Sequence, residues 1–211
     1  MRVDASLPNI STNRLCLEFA NLPFLSGDPV ERPFFWDEFV DFLAAKQIIS
    51  PEKNPHIRAL AETDPRAAQN LLNHAERLGG ALRMCFRAIL EGQEVLGEWT
   101  QPINQILRVT EGHDELQWNG SEWRLGFVAR HEGLEWLLAA IARSGAELMA
   151  GGANGGVRQC ANPGCRILFY DDSRTPRRRW CSMALCGNRS KVAAFARRTR
   201  REGDKARAHH A

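Results

Sequence analysis

Four of the six cysteines of this chain occur as two closely spaced pairs near the C-terminal end. Cys160 and Cys165 form a Cys-x4-Cys pair, and Cys181 and Cys186 repeat that spacing after fifteen intervening residues. Two such pairs joined by a short connection can bring four thiolates to the corners of a tetrahedron, which is the arrangement that zinc prefers in structural sites. The turn at residues 162–164, Asn-Pro-Gly, lets the chain reverse between the first two ligands. The spacing predicts one structural zinc ion bound by all four cysteines.

Two disulfides, or four unligated thiols, are the alternatives to a metal site. The first eight residues contain no apolar segment of the kind found in signal peptides, so a cytoplasmic location is expected, where disulfides are rare. Thiolates also bind iron, but nothing else in the chain suggests redox chemistry. Because four sulfur ligands leave no position for a metal-bound water, the pattern predicts a structural metal and not a catalytic one.

The net charge of +3 conceals an uneven distribution of charge along the chain. Residues 1–156 carry 14 basic and 21 acidic side chains, whereas residues 157–211 carry 14 basic and four acidic ones. The change occurs at residues 151–156, which include four glycines and are typical of an interdomain linker, although a loop within one domain is the alternative. We predict a domain at 1–150, a linker at 151–156, a zinc module at 157–201 and a disordered tail at 202–211.

Apolar periodicity predicts a mostly helical N-terminal domain. Helices are expected at residues 33–49, at 65–89 with Asp64 as N-cap, at 102–109 and at 132–149. Asn119-Gly120 lies between two short apolar segments and predicts a two-residue hairpin turn. Residues 15–21 alternate in polarity and suit a half-buried strand, although a helix of that length is also possible. The expected fold class is α+β, with a small β-hairpin in the N-terminal domain.

The second module is predicted to be a zinc knuckle followed by a helix. A helix that begins at Gly187-Asn188 would place an apolar stripe against the knuckle, formed by Val192, Phe195, Ala196 and Thr199. The rest of the helix, and the run immediately before Trp180, are basic and predict a phosphate-binding surface. The predicted nucleic-acid-binding residues are Arg177, Arg178, Arg179, Arg189, Lys191, Arg197, Arg198, Arg200 and Arg201.

A solvated basic face, or one neutralised by the acidic N-terminal half, is the alternative to a nucleic-acid interface. Arg189 either contacts phosphate or pairs with Asp171 or Asp172. Trp180 fits the core of the module better than it fits a base-stacking platform.

The N-terminal domain shows no catalytic signature. It has no nucleophile elbow, phosphate-binding loop or dinucleotide fingerprint, and its histidines are isolated, so the protein is not expected to be an enzyme. Cys16 and Cys85 lie in apolar patterns and are expected to be small buried side chains. If a ligand pocket exists, Glu18 and Asn21 are its candidate lining residues. No run of 18 apolar residues is present, so no membrane span is expected.

Two segments resemble known families. Residues 179–183 and Cys186-Gly187-Asn188-Arg189, together with the first cysteine pair, resemble the CGNR zinc finger over about residues 157–200. Residues 15–21, Leu-Cys-Leu-Glu-Phe-Ala-Asn, are similar to the Leu-x-Leu-Asp-Phe-x-Asn-Thr pattern of the ABATE domain, with Glu18 and Leu22 in place of Asp and Thr. That domain accompanies the finger in bacterial proteins described as stress-induced transcription regulators. The resemblance implies a DNA-binding zinc module joined to a regulatory domain.

The expected function is that of a zinc-dependent, DNA-binding transcription regulator. Its N-terminal domain would sense an unknown small-molecule effector or form a homodimer. The alternatives are a zinc-stabilised module that binds RNA or protein and, less favoured, an enzyme with a pocket in the N-terminal domain. In the signature, Cys186 is expected to ligate the metal, Gly187 to let the backbone approach the sulfur, and Asn188 to cap the helix or hold a turn.

Overall fold

The computed structural model describes residues 14–24, 32–110, 112–118, 120–130, 133–151, 156–193, 195, 196 and 199. It confirms the predicted α+β class, with a mostly helical N-terminal part and a small cysteine-bearing module. The elements are α1 (Leu15–Ala20), a 3₁₀ turn (Leu22–Phe24), α2 (Trp36–Ala45), α3 (Asn54–Thr63), α4 (Pro65–Glu91), α5 (Gly97–Val109), β1 (Gly112–Trp118), β2 (Trp123–Ala129), α6 (Trp136–Ala150), β3 (Val157–Gln159), β4 (Leu168–Tyr170) and a π-helical turn (Met183–Gly187). The π-helical turn continues as α-helix from residue 188, and we call residues 183–193, together with 195, 196 and 199, the C-terminal helix.

Helix α4 is the central element of the main core. The Asp64 carboxylate accepts a hydrogen bond from the backbone N of Ala67 at 3.0 Å, which confirms the predicted N-cap. The helix continues without a break through Gly79 and Gly80 and ends at Gly92, whose φ of 65° is left-handed. No helix within the described ranges is long and apolar enough to cross a membrane.

The main core forms where α1 and α6 pack on α4, with α2 and α5 alongside. Gly145 of α6 lies at the closest approach, because a Cβ at that position would lie 2.3 Å from Cδ2 of Leu82. The largest fully buried side chains of this core are Phe19, Phe39, Phe42, Phe86, Leu17, Leu43, Leu78, Leu82, Leu137, Leu138 and Ile141.

Residues 15–20 form a helix, so the expectation of a strand is wrong. Cys16, Leu17, Phe19 and Ala20 are all buried, because α1 is enclosed by α4, α6 and β4. This burial follows the i, i+1, i+3, i+4 spacing of a helix. In a strand, Cys16, Glu18 and Ala20 would share the exposed face. In the structure Cys16 and Ala20 are buried, so the alternation does not match the burial.

The predicted β-hairpin is present, but its turn is longer than two residues. In the antiparallel register Trp118 pairs with Trp123, so the connection spans residues 119–122. The two indole rings lie 5.4 Å apart and close the hairpin before the Asn-Gly dipeptide is reached. Three helices also differ at their starts: α2 begins at Trp36 instead of residue 33, α5 at Gly97 instead of residue 102, and α6 at Trp136 instead of residue 132.

The cysteine-bearing module is built on the antiparallel pair of β3 and β4, with Val157 opposite Tyr170. A second, smaller core surrounds the cysteines and also contains Phe24, Ile167 and Phe169. The proposed domain boundaries stay a prediction, and residues 152–155 of the predicted linker and the predicted tail at 202–211 lie outside the described residues.

The apolar stripe of the C-terminal helix does not pack on the module as expected. Val192 is 69% exposed and Phe195 is 64% exposed. The helix begins at Met183, earlier than predicted, so that its first turn carries Cys186 and Gly187 to the buried side. The later turns therefore project beyond the small core.

Candidate metal centre

The structure brings the four C-terminal cysteines together. Their sulfur atoms all lie within 4.8 Å of one another, and both the Cys165–Cys181 and the Cys181–Cys186 sulfur separations are 3.7 Å. A regular tetrahedron with metal–sulfur bonds of about 2.3 Å has edges of about 3.8 Å, so the donor set fits a tetrahedral thiolate-bound metal. All four are free cysteines, at separations well beyond the roughly 2.05 Å of a disulfide.

Asn162 shapes the turn between the first two ligands and also contacts the fourth. The backbone N of Cys165 donates to the carbonyl of Asn162 at 2.8 Å, and the backbone N of Gly164 donates to Asn162 Oδ1 at 3.3 Å. Asn162 Nδ2 donates to Cys186 Sγ at 3.5 Å. The Asn-Pro-Gly sequence predicted the turn, but the contact with sulfur depends on the tertiary fold. A donor to the thiolate helps to orient and stabilise a metal ligand.

The second ligand pair is held by the start of the C-terminal helix. The Ser182 hydroxyl accepts from the backbone N of Leu185 at 3.4 Å, and the backbone N of Gly187 donates to the carbonyl of Ser182 at 3.0 Å, a widened π-type bond. Asn188 Nδ2 donates to the carbonyl of Ala184 at 3.2 Å, one turn back. Ser182 is therefore the N-cap, and of the two roles expected of Asn188, capping the helix or holding a turn, the structure shows the second.

The side chains nearest to Gly187 are those of Met183 and Trp180. A Cβ at this position would lie 2.8 Å from Met183 Sδ and 3.3 Å from Trp180 Cδ1. The glycine thus allows the indole and the thioether to close over the helix start. The expectation that it allows the backbone to approach the cysteine sulfur is corrected accordingly.

The electrostatics of the cluster favour a cation. Hydrogen bonds from Cys165 and Cys181 lower the pKa of the Cys160 thiol, and hydrogen bonding to Cys160 raises the pKa of Cys165 and of Cys181. Without a cation, the thiolate form of Cys160 is favoured, whereas Cys165 and Cys181 favour the protonated form. Four thiolates at these separations need a bound positive charge, and metal binding would release the remaining protons.

The other two cysteines lie apart from this cluster. Cys16 and Cys85 are each 0% exposed, which confirms that they are small buried side chains. Burial raises the pKa of each thiol to about 11. Both are neutral packing groups at physiological pH.

Arg178 is half-buried and bonds to the backbone next to a metal ligand. Its Nε donates to the carbonyl of Trp180 at 3.0 Å, and its guanidinium also donates to the carbonyl of Cys181. The guanidinium lies 4.6 Å from the centroid of the Phe169 ring. The guanidinium of Arg178 thus braces the backbone on either side of a metal ligand, and a contact of Arg178 with nucleic acid stays a prediction.

Four other predicted basic residues are exposed, namely Arg177, Arg179, Arg189 and Lys191. Arg179 lies 5.1 Å from the centroid of the partly buried Trp180 ring. The remaining members of the predicted set, Arg197, Arg198, Arg200 and Arg201, lie outside the described residues.

The side chain of Asp171 binds groups within the cysteine-bearing module. It is buried, it accepts hydrogen bonds from the Ser173 hydroxyl at 2.6 Å and from the backbone N of Arg178 at 2.8 Å, and it lies 3.6 Å from Arg158 Nε. The hydrogen bond from Ser173, with those of the backbone and the nearby Arg158 charge, holds the pKa of Asp171 below its ordinary value. Asp171 therefore pairs with Arg158 and not with Arg189.

The two candidate pocket residues have partners within the protein. Glu18 forms an ion pair with Lys46. Asn21 is 1% exposed, its Nδ2 donates to the carbonyl of Leu168 at 2.7 Å, and its Oδ1 accepts from the backbone N of Leu168 at 2.9 Å. Asn21 thus binds strand β4 instead of lining an open pocket.

Arg83 is a buried residue that sequence reasoning missed. Its guanidinium donates to the carbonyl of Arg166 at 2.9 Å, to the carbonyl of Ala20 at 3.2 Å and to Asn21 Oδ1 at 3.3 Å. The available signal was an arginine on the apolar stripe of α4, between Leu82 and Cys85. A charged residue at such a position needs partners supplied by other segments.

Comparison with known families agrees with this arrangement. Residues 157–199 match the CGNR zinc finger, and residues 13–152 match ABATE, described as "Putative stress-induced transcription regulator". A search of curated proteins finds no match to the chain. The zinc-finger match and the four close sulfurs together indicate a metal site. The chain belongs to the ABATE family and carries a CGNR zinc finger at its C-terminal end.

Proposed function

We propose that this protein is a cytoplasmic, DNA-binding transcription regulator whose C-terminal module is held by one structural zinc ion. The observation that carries the proposal is the compact cluster of four cysteine sulfurs, with exposed basic side chains on the same module. The description of the N-terminal family supports a regulatory role for that part of the chain, through an effector or through homodimer formation. We infer a binding protein and not an enzyme, because a metal with four thiolate ligands has no open position for substrate or water.

Zinc is favoured over other metals because four thiolates in a tetrahedron suit its coordination preferences. The decisive measurement is the metal content of the purified full chain and of two variants. The parent and Cys85→Ala should each contain one zinc per chain, since Cys85 lies outside the cluster, whereas Cys165→Ser should lose zinc. Undiminished one-to-one zinc in Cys165→Ser would refute the four-cysteine site, and iron in the parent would replace zinc as its metal.

DNA binding is tested through the exposed charges of the module. If the four described exposed cations each neutralise one phosphate, the slope of log K against log salt is about −4. Removing two of them in Arg177→Ala/Arg179→Ala should change that slope by about 2. A control double variant, Arg77→Ala/Arg108→Ala, removes two exposed arginines from α4 and α5 and should leave the slope unchanged.

The assay is a mobility shift with duplex DNA and with RNA of the same sequence, across a range of salt concentrations. Tighter binding of DNA by the parent supports the proposal, and tighter binding of RNA favours the alternative of an RNA-binding module. Equal affinity of the Arg177→Ala/Arg179→Ala variant and the parent at moderate salt would eliminate this surface as the nucleic-acid interface.

A further inference from the structure

We propose that Asn21 and Arg83 form an interlock that couples metal occupancy to the stability of the N-terminal helices. The inference rests on the proposed metal site, but it assigns a role to residues that are not ligands. Under this proposal the metal-binding module and the N-terminal domain stabilise each other. Neither behaves as an independent unit.

The first part of the interlock is the side chain of Asn21. Its amide occupies both hydrogen-bonding groups of Leu168, donating to the carbonyl at 2.7 Å and accepting from the backbone N at 2.9 Å. The side chain thus satisfies strand β4 along its edge, as a neighbouring strand would. Because Asn21 is 1% exposed, water cannot readily replace these bonds.

The second part is the guanidinium of Arg83. It joins the C-terminal end of α1, through the carbonyl of Ala20, to the carbonyl of Arg166, the residue directly after a metal ligand. It also lies 3.9 Å from the centroid of the Phe24 ring. A buried guanidinium that lost these acceptors would remain charged and without adequate solvation.

Each of the two cores contains apolar side chains from the other part of the chain. Phe24, from the N-terminal part, packs in the small core that contains the cysteines. In return, Val157 and Leu168 of the module pack in the main core. The neighbours of Leu168 on either side, Ile167 and Phe169, belong to the small core. Strand β4 therefore contributes alternate residues to both cores.

The same strand is connected directly to the metal site. The backbone N of Cys160 donates to the carbonyl of Ile167 at 3.0 Å, and Gln159 pairs with Leu168 in the β3–β4 ladder. Leu168 thus lies opposite Gln159, the residue directly before the first ligand, and three residues after Cys165. Any change that loosens the knuckle displaces the residue that Asn21 holds. Because coupling free energies are reciprocal, loosening Asn21 must also weaken metal binding.

The first test measures zinc affinity of the full chain by competition with a chelator of known affinity. Asn21→Ala and Arg83→Met should each bind zinc at least about tenfold more weakly than the parent, although all four cysteines are intact. The matched control is Val40→Ala, a truncation of a fully buried side chain in α2, which belongs to the main core and not to the small one. It should bind zinc as the parent does.

The second test uses the parent alone, so it does not depend on the folding of any variant. Removing zinc with a chelator should increase amide hydrogen exchange in residues 15–20 and in the part of α4 around Arg83. Exchange at the start of α4, near Asp64, should change little.

The outcomes separate the two proposals. A parent that binds neither zinc nor iron refutes the metal site. A parent that binds zinc, with exchange in α1 unaffected by its removal, refutes the interlock and leaves the metal site in place. Zinc affinities of Asn21→Ala and Arg83→Met equal to that of Val40→Ala would overturn the interlock as well.

Discussion

Replacing Arg178 by lysine separates its structural role from an electrostatic one. The guanidinium of Arg178 donates to the carbonyls of Trp180 and Cys181 and lies over the Phe169 ring. Lysine keeps the positive charge, but its ammonium cannot reproduce the planar fork that reaches both carbonyls. Hydrogen bonds from charged groups contribute about 1.5–3 kcal/mol each, and half-burial of Arg178 reduces that figure, so Arg178→Lys should destabilise the protein by about 2 kcal/mol.

The assay is thermal unfolding of the zinc-loaded chain, with DNA affinity measured in parallel. For a chain of this size, about 2 kcal/mol corresponds to a decrease of about 4–8 °C in Tm. The salt dependence of DNA binding should be unchanged, since the charge is kept. Arg177→Lys is the matched control, because Arg177 is exposed, and its Tm should equal that of the parent. An Arg178→Lys variant that melts with the parent would refute the bracing role.

Three further predictions concern packing, thiol reactivity and pH. Gly145→Ala should lower the free energy of unfolding by about 1–3 kcal/mol, because the added Cβ overpacks the core. Gly80→Ala has no atom within 4 Å of its added Cβ and should raise that free energy by up to about 1 kcal/mol; chemical denaturation measures both. Chelation of the metal should make four thiols react rapidly with a thiol reagent, while Cys16 and Cys85, each 0% exposed, should react more slowly than those four. Asp171→Asn should destabilise the protein at neutral pH. The pKa of the Asp171 carboxylate is lowered, so its contribution to stability is present above the ordinary value of 3.8 and is lost as pH falls through the lowered pKa. A difference in stability between Asp171→Asn and the parent that persists below that pH range would contradict this assignment.

The cysteine spacing shows how far local sequence can specify a site. A Cys-x4-Cys pair around an Asn-Pro-Gly turn leaves few ways for the backbone to reverse, so the convergence of four sulfurs was predictable without a structure. The N-cap at Asp64 was predictable for a similar reason, because its hydrogen bond involves a neighbour three residues away.

Other expectations failed where long-range contacts decide the outcome. The segment at residues 15–20 has no local preference strong enough to choose between strand and helix, and its enclosure by α4, α6 and β4 makes the choice. The hairpin turn is longer than its Asn-Gly dipeptide predicts, because the ladder ends at the Trp118–Trp123 pair, before that dipeptide.

The sequence by itself determined the donor set of the metal site, the charge asymmetry and the mostly helical class. These follow from residue identity and short spacing. Only the tertiary structure decided what the buried polar groups do. Asn21 and Arg83 are 147 and 83 residues from the backbone groups that they bind in the module, and no local pattern encodes a partner at that distance. Burial makes such bonds obligatory, because an unpaired amide or guanidinium in a core is costly, and the fold alone determines which groups satisfy them.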